Sequence, residues 1–256
     1  MAPPNTNIGG ECCLKAFEWD GTPAGTVSTI PGTNHAAYVT GNNPSAAVLY
    51  LHDILGWTFP NARLLADHYA REANVTVYIP DLFDGWVVSR EAVFAKRYED
   101  IDMAGFLARN SREKREPEII AAARALRAKY ARVGVIGFCY GGWASARLGA
   151  KDLLGVVDCV SIGHPGMMTE ADINALAVPT QLLAPEIDEH YPPELKTHTF
   201  QTLQALGLPF EYHHFPGVEH GCLTRGDEAA KGSRDAMVRG KNAAVAWFKQ
   251  WLQVVE

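Results

Sequence analysis

The fold is decided by the stretch Gly137-Phe138-Cys139-Tyr140-Gly141-Gly142, which joins a predicted buried strand to a predicted helix. The apolar run at residues 132–136 predicts the strand, and residues 143–150 predict the helix. The pattern glycine-x-cysteine-x-glycine is typical of a nucleophile elbow in which cysteine replaces the usual serine. Its glycines would let strand and helix approach closely enough for a sharp turn.

Cys139 has two interpretations. In the first, the turn exposes its thiol to the free N–H groups and positive dipole end of the following helix, where a thiol is expected to ionise more readily than a free one. In the second, Cys139 is a small buried core residue and the glycines only form a tight turn. The first interpretation requires a base, an orienting acid and an oxyanion hole from the rest of the chain.

Composition is that of an ordinary globular protein. The chain has 256 residues, is 47% hydrophobic and 20% charged, and carries a net charge of −6. We expect one domain over residues 1–256, with residues 1–11 as a loose N-terminal arm. No basic run stands out, so we expect no nucleic-acid partner.

Five cysteines without a C-x-x-C pair give no zinc or thioredoxin-like motif, so no metal site is expected. Cys12 and Cys13 are expected to be structural or incidental. The chain start lacks the features of a secretory signal, and no apolar run is long enough to span a bilayer. We therefore expect a cytoplasmic protein without a membrane partner, as a monomer or homodimer.

Strands and helices alternate along most of the chain. This alternation predicts an α/β fold, with a mostly parallel central sheet and helices on both faces. An antiparallel hairpin is expected over residues 26–40, and residues 82–116 are expected to cross over the sheet irregularly. The other predicted strands are residues 46–52, 75–79, 156–162, 179–184 and 210–215, and the other predicted helices are 60–73, 117–130, 192–206 and 233–252.

Two loops downstream of the elbow supply the partners of the thiol. Asp188 follows the strand predicted at 179–184, and His220 follows the strand predicted at 210–215. The order Cys139, Asp188, His220 is that of the nucleophile, acid and histidine in α/β-hydrolases. The competing acids are Glu186 and Glu189, and the competing bases are His190, His213 and His214.

The oxyanion hole is expected to use the backbone N–H of Tyr140 and, from the early strand-end loop, that of Ile54. Trp57, Trp86 and His164 lie on or beside strand-end loops, where they would line an apolar substrate pocket or belong to the ordinary core.

These residues resemble the dienelactone hydrolase (carboxymethylenebutenolidase) family, in particular its fungal-type members. The resemblance covers nearly the whole chain. It implies an α/β-hydrolase fold and hydrolysis of a small-molecule ester or lactone without a cofactor. It also carries the catalytic roles onto Cys139, Asp188 and His220. The motifs that carry it are Cys12-Cys13 with Gly21-Thr22-Pro23, residues 52–57, residues 80–83, residues 137–142, His164-Pro165 and Glu219-His220-Gly221.

The chain also departs from the bacterial members of that family. Those place a glutamate before the second oxyanion donor, where this chain has Asp53, which either faces the thiol or caps the strand end. Those also hold the substrate carboxylate with two arginines. Arg225 is a candidate for one, whereas Arg90, Arg97, Arg109 and Arg112 do not align clearly with the other.

The resulting hypothesis is a cysteine-dependent ester or lactone hydrolase, acting on a compound from aromatic degradation or on a polyketide-type ester or thioester. The alternative is a non-catalytic α/β-hydrolase-fold protein that binds a small molecule. A thiol redox role through Cys139 and Cys222 is a third interpretation, but no resolving-cysteine motif supports it.

Overall fold

The computed structural model describes residues 15–33 and 35–253, built around one eight-stranded sheet. The expectations for residues 1–11, Cys12 and Cys13 lie outside the described residues. The expectation of one domain over residues 1–256 stays a prediction.

The sheet is mostly parallel, as the sequence predicts. Its strand order is β1-β2-β4-β3-β5-β6-β7-β8, and only the β1–β2 and β2–β4 pairs are antiparallel. The predicted hairpin is the β1–β2 pair. The strands are β1 (Thr26–Thr29), β2 (Ala36–Thr40), β3 (Ala46–Leu51), β4 (Thr76–Pro80), β5 (Arg132–Cys139), β6 (Cys159–Pro165), β7 (Thr180–Ile187) and β8 (Phe210–Glu219).

Helices cover both faces of the sheet. Side chains from α1 and α9 form one core with the sheet, and side chains from α4, α5, α6 and α7 form the other. The helices are α1 (Pro60–Ala73), α2 (Arg90–Phe94), α3 (Met103–Arg109), α4 (Arg112–Lys129), α5 (Tyr140–Leu148), α6 (Glu170–Asn174), α7 (Pro193–Leu206), α8 (Cys222–Arg225) and α9 (Lys231–Leu252).

Strand β3 shows why the sheet needs both layers. Successive strand side chains point to opposite faces, and all six residues of β3 are buried. Leu49 and Leu51 join the core under α4 and α5, whereas Val48 and Tyr50 join the core under α1 and α9. The continuous apolar run in the sequence reflects this burial on two faces.

Helix α1 has the bounds that the sequence predicts, because both of its ends are set locally. Pro60 occupies the first turn, where its missing N–H costs nothing. Asn74 ends the helix in the left-handed conformation (φ 52°), and its N–H donates to the carbonyl of Ala70.

Helix α4 begins five residues earlier than predicted, at Arg112 rather than Pro117. The sequence places proline at the helix start, but here Pro117 lies in the second turn. Tertiary ion pairs hold the added turn: the Arg112 guanidinium binds Asp172 at 2.6 Å, and that of Arg115 binds Asp84 at 2.7 Å. The partners Asp172 and Asp84 lie far along the chain, so a local pattern does not reveal these ion pairs.

Strands β7 and β8 extend further than predicted, and they absorb most of the two loops assigned to the acid and the base. Pro185 pairs with Phe215, and Ile187 pairs with Glu219 after a bulge. Proline and glycine in this segment suggested turns, but an edge pair accommodates them as an irregularity. The extension brings the ends of the two strands side by side.

The predicted elbow is a sharp turn from β5 into α5. Cys139 ends β5 with φ 50° and ψ −112°, a left-handed conformation that is unusual for a non-glycine residue. A side chain on Gly137 would collide with the carbonyl oxygen of Gly141, and one on Gly141 with that of Leu51. The two glycines therefore let α5 pack directly against β5 and β3.

Within residues 15–33 and 35–253, no helix has the length and apolar character needed to cross a bilayer.

Replacing Gly141 with alanine tests the close approach of α5 to β3. We expect Gly141→Ala to lower the free energy of unfolding by about 3 kcal/mol, because the backbone of Leu51 cannot yield as a flexible side chain would. Gly232→Ala is the matched control: its new Cβ meets nothing within 4 Å, and the change should raise stability by up to about 1 kcal/mol. Urea unfolding followed by circular dichroism measures both, and equal midpoints for the two variants would contradict the packing described.

Candidate active site

The candidate site lies at the carboxyl edge of the parallel strands, where α/β folds place functional groups. Asp53 and Ile54 follow β3, and Cys139 ends β5. Asp188 follows β7 directly, and His220 follows β8 directly. Residues far apart in the sequence therefore converge because their strands run in the same direction.

Cys139 lies at the start of α5 in a strained and fully enclosed position. It is the residue before the first helical residue, Tyr140, and its exposed fraction is 0%. Strain of this kind persists only where surrounding structure enforces it, and it clusters at functional sites. The N-terminal turn of α5 directs its unpaired N–H groups toward this end of the helix.

His220 and Asp188 form a buried pair. The Nδ1 of His220 lies 2.9 Å from Oδ1 of Asp188, and neither side chain is exposed to solvent. The backbone N–H of His220 also donates to the carbonyl of Ile187 at 3.0 Å. The extended β7–β8 pairing thus fixes the distance between the predicted acid and the predicted base.

The Asp188 carboxylate is held in its charged form. Burial alone would raise its pKa, but the charge and hydrogen bond of His220 and the N–H of His190 outweigh burial and lower the pKa. Its Oδ1 also accepts hydrogen bonds from the backbone N–H groups of His190 and Tyr191, at 2.9 and 3.1 Å. A charged carboxylate assigns the proton to Nδ1 of His220, which leaves Nε2 as the nitrogen that accepts a proton.

The other acids in the β7 loop are placed differently. Glu186 is exposed and accepts a hydrogen bond from the N–H of Gly217 at 2.6 Å, which ties together the ends of β7 and β8. Glu189 is also exposed. The geometry therefore favours Asp188 as the partner of His220.

The competing histidines also differ from His220 in their surroundings. His213 is half-buried and pairs with Glu211 at 2.9 Å, and His214 is exposed. His190 is buried, and its ring meets that of His220 edge-on with 4.8 Å between the ring centres. His190 therefore lies next to His220. The Asp188 carboxylate, however, contacts the ring nitrogen of His220.

Both predicted oxyanion donors are buried beside the elbow. Among the described residues, no hydrogen bond uses the N–H of Ile54, whereas its carbonyl accepts one from Val88 at 3.0 Å. The Tyr140 side chain is fixed by its hydroxyl, which donates to the carbonyl of Asn110 at 2.7 Å, and by ring contact with Phe83. The position of Tyr140 as first residue of α5 suits its backbone N–H to the expected role.

Asp53 and Arg225 meet each other in the protein interior. Oδ2 of Asp53 lies 3.3 Å from Nε of Arg225 and accepts a hydrogen bond from the Thr224 hydroxyl at 3.1 Å. Its Oδ1 accepts a hydrogen bond from the N–H of Leu55 at 2.9 Å. These contacts join the loop after β3 to α8, the helix that follows His220.

The two predicted pocket tryptophans have different surroundings. Trp57 is half-buried and packs at the α1 side of the sheet, with the guanidinium of Arg63 5.2 Å from its ring centre. Trp86 is 58% exposed, and the guanidinium of Arg109 lies 3.9 Å from its ring centre. Trp86 and Arg109 help to line a cavity of about 200 Å³ above α3.

His164 lies at the centre of the site. It is fully buried at the end of β6, and its ring centre is 4.8 Å from that of His220 and 5.4 Å from that of Phe138. The ring of His164 therefore lies between those of Phe138 and His220, and its role as a substrate-pocket residue stays a prediction.

Two supporting contacts were not foreseen from the sequence. The backbone of His190 and Tyr191 holds Asp188, and Thr224 links Asp53 to α8. The first contact had a signal, since an aspartate often accepts hydrogen bonds from the backbone two or three residues later. The second contact joins residues that are distant in the sequence, so no sequence signal predicts it.

The arrangement does not favour a redox pair of Cys139 and Cys222. The two residues belong to the separate cores on the two faces of the sheet. Burial raises the pKa of Cys222 to about 12, so its thiol stays protonated near neutral pH and is a poor nucleophile. Across residues 15–33 and 35–253, no group of histidine, cysteine and acidic side chains is arranged to hold a metal ion.

This chain is similar in sequence to known hydrolases over most of its length. The model of the Dienelactone hydrolase family matches residues 35–252. Hydrolase tropI of Talaromyces stipitatus is 28% identical over 253 residues, covering 94% of this chain and 96% of its own. The carboxymethylenebutenolidase homolog of Mus musculus is 26% identical over 232 residues, covering 84% of this chain and 87% of its own.

A solved structure supports the same fold. The putative dienelactone hydrolase from Klebsiella pneumoniae superposes with a TM-score of 0.68 at 17% identity, over 88% of this chain and 98% of its own. Since the family model spans nearly all described elements, with the strand order and elbow in place, this chain belongs to the dienelactone hydrolase family of α/β-hydrolase-fold hydrolases.

Proposed function

We propose that this protein hydrolyses a small-molecule ester or lactone, with Cys139 as nucleophile, His220 as general base and acid, and Asp188 as the orienting carboxylate. The observation that carries the proposal is the fully buried His220–Asp188 pair at the edge of the sheet where the strained Cys139 begins α5. Burying a charged carboxylate costs free energy of desolvation, and in a catalytic triad such a carboxylate orients the histidine and stabilises its charged form.

The reaction follows from these positions. Cys139 Sγ attacks the substrate carbonyl carbon, and His220 Nε2 takes the thiol proton. The N–H groups of Tyr140 and Ile54 stabilise the oxyanion. Collapse of the intermediate breaks the bond to the leaving oxygen, which receives the proton from His220. Water, deprotonated by His220, then attacks the thioester, and Cys139 leaves with the proton restored.

Asp188 contributes by stabilising the imidazolium that forms in each half-reaction. Its lowered pKa keeps the carboxylate charged while His220 exchanges protons. The hydrogen bonds from the backbone of residues 190 and 191 prevent the carboxylate from rotating away. These contacts support a role in orienting His220, not in proton transfer itself.

The proposed substrate is described first by the bond that is cleaved and then by the kind of compound that carries it. An ester or lactone carbonyl suits a thiol nucleophile next to two backbone donors. Between a lactone from aromatic degradation and a polyketide-type ester or thioester, the resemblance to fungal-type members of the family favours the polyketide-type compound by analogy only.

The first prediction concerns the nucleophile. We expect Cys139→Ala to abolish turnover of every substrate that the wild type cleaves in a panel of an activated aryl ester, a dienelactone and an acyl thioester. The matched control is Cys159→Ala, which removes a buried thiol from the first residue of β6, at the end of that strand away from the site, and should keep most of the activity. Initial rates at equal concentrations of folded protein measure the difference.

Three outcomes of that panel decide the proposal. Loss of activity in Cys139→Ala alone supports it. Full activity in Cys139→Ala would exclude the thiol as nucleophile. If the wild type cleaves nothing and Cys139 reacts with thiol reagents at the rate of an ordinary cysteine, the non-catalytic binding protein is the better explanation.

The second prediction separates the candidate acids. Asp188→Asn should lower kcat by roughly 10²–10⁴-fold, because an amide no longer stabilises the His220 imidazolium or fixes its tautomer. Glu189→Gln changes an exposed acid one residue away and should leave kcat within about twofold of the wild type. An equal loss in both variants would mean that the loop, not the Asp188 carboxylate, matters.

The third prediction addresses Asp53. If Asp53 is the anchor of α8, Asp53→Ala should lower the free energy of unfolding by about 3 kcal/mol, since it leaves the buried Arg225 and Thr224 without this acceptor. Asp53→Asn keeps an acceptor oxygen and should lose less. If Asp53 instead restrains the thiol, Asp53→Ala would speed alkylation of Cys139 without changing the urea midpoint.

A further inference from the structure

His164 occupies a backbone irregularity beside the predicted nucleophile. Across the β5–β6 pair, Phe138 lies opposite Gly163 but Cys139 lies opposite Pro165, so His164 is the extra residue of a β-bulge. Bulges redirect a side chain, and they are more frequent next to active sites than elsewhere in sheets. Here the redirected side chain is a histidine, one strand away from the thiol.

The backbone of His164 is also strained. Its φ is 31°, and the neighbouring strand ends at Cys139 with φ 50°. A left-handed conformation is unfavourable for a side chain of this size, so tertiary contacts must enforce it. Two strained residues at the ends of adjacent strands point to one constrained centre.

Within the described part of the chain, no hydrogen bond to the His164 ring offsets its burial. Its exposed fraction is 0%, and neither Nδ1 nor Nε2 has a hydrogen-bond partner among the described residues. Buried polar atoms normally have a hydrogen-bond partner. Two ring nitrogens without one therefore require an explanation. By contrast, the ring of the other fully buried strand-end histidine, His52, has Nδ1 2.8 Å from the carbonyl of Asp53.

The contacts of His164 place its ring among the reacting groups. It packs between the rings of Phe138 and His220. Burial lowers the pKa of His164 well below its ordinary value, and the charges of His220 and Arg225 act in the same direction against a smaller opposing effect of its own backbone. A neutral imidazole presents one N–H donor and one bare nitrogen acceptor.

We propose that His164 is a substrate-binding residue that pairs with a hydroxyl group carried next to the scissile carbonyl. This inference rests on the proposed function and specifies its substrate class as a hydroxy-substituted ester or lactone. A hydroxyl donates to a bare nitrogen and accepts from an N–H, so it pairs with whichever ring nitrogen faces it, in either tautomer. A carboxylate or carbonyl oxygen only accepts, and would pair only with the protonated nitrogen.

The alternative is that His164 only fills space as an aromatic ring. The two roles differ in what the substrate must carry, because a site built to hydrogen-bond a hydroxyl discriminates against the analogue that lacks it. A packing ring would treat hydroxylated and unsubstituted substrates alike.

The test compares phenyl 2-hydroxybenzoate with phenyl benzoate in three proteins. For the wild type, we expect the ratio of kcat/KM values to favour the hydroxylated ester. For His164→Phe, which keeps an aromatic ring without nitrogen atoms, the preference should fall by roughly tenfold. His164→Asn keeps a donor and an acceptor and tolerates positive φ, so it should retain part of the preference. The intrinsic reactivities of the two esters cancel when ratios are compared between variants.

A binding experiment keeps this inference separate from the proposed reaction. N-phenyl-2-hydroxybenzamide and N-phenylbenzamide resist hydrolysis, and calorimetry with the wild type needs no turnover. Roughly tenfold tighter binding of the hydroxylated amide, lost in His164→Phe, supports the role of His164 even if Cys139→Ala proves fully active and the proposed mechanism fails. Equal affinities of the wild type for the two amides would overturn the inference, whatever the outcome for Cys139.

Discussion

The left-handed backbone at Cys139 is the constraint on which the site depends. It exists because α5 packs so closely on β5 and β3 that glycine is required at positions 137 and 141. The strain at the turn is offset by the burial of the Trp143 and Ala144 side chains on the same helix. In this arrangement the core of the protein holds the predicted nucleophile in place.

The second half of the site depends on register between two strands. Pairing of β7 with β8 continues to Ile187 and Glu219, so the next residue on each strand is Asp188 or His220. A slip of one residue would turn every side chain of a strand to the opposite face and separate the acid from the base. The Lys196 ammonium, bound to the carbonyls of Pro185 and Glu186, reinforces the end of this pair.

How far the sequence predicts this molecule depends on whether each signal is local. The elbow, helix α1 and the alternation of strands and helices follow from short patterns, and the structure agrees with each of them. The added first turn of α4 is held by Arg112 reaching Asp172, and Trp86 packs against Arg109, which lies 23 residues further along the chain. Such long-range pairs leave no trace in a local pattern, which is why these details required coordinates.

The complete enclosure of Cys139 affects more than the geometry of attack. A thiol with no exposed surface is reached only in conformations that open the site, so the measured affinity for a substrate includes the free energy of opening. The same barrier protects the sulfur from peroxide and other dissolved oxidants, which react with accessible thiolates. In this protein, resistance to oxidative inactivation and ease of substrate entry are therefore opposing consequences of one closed conformation.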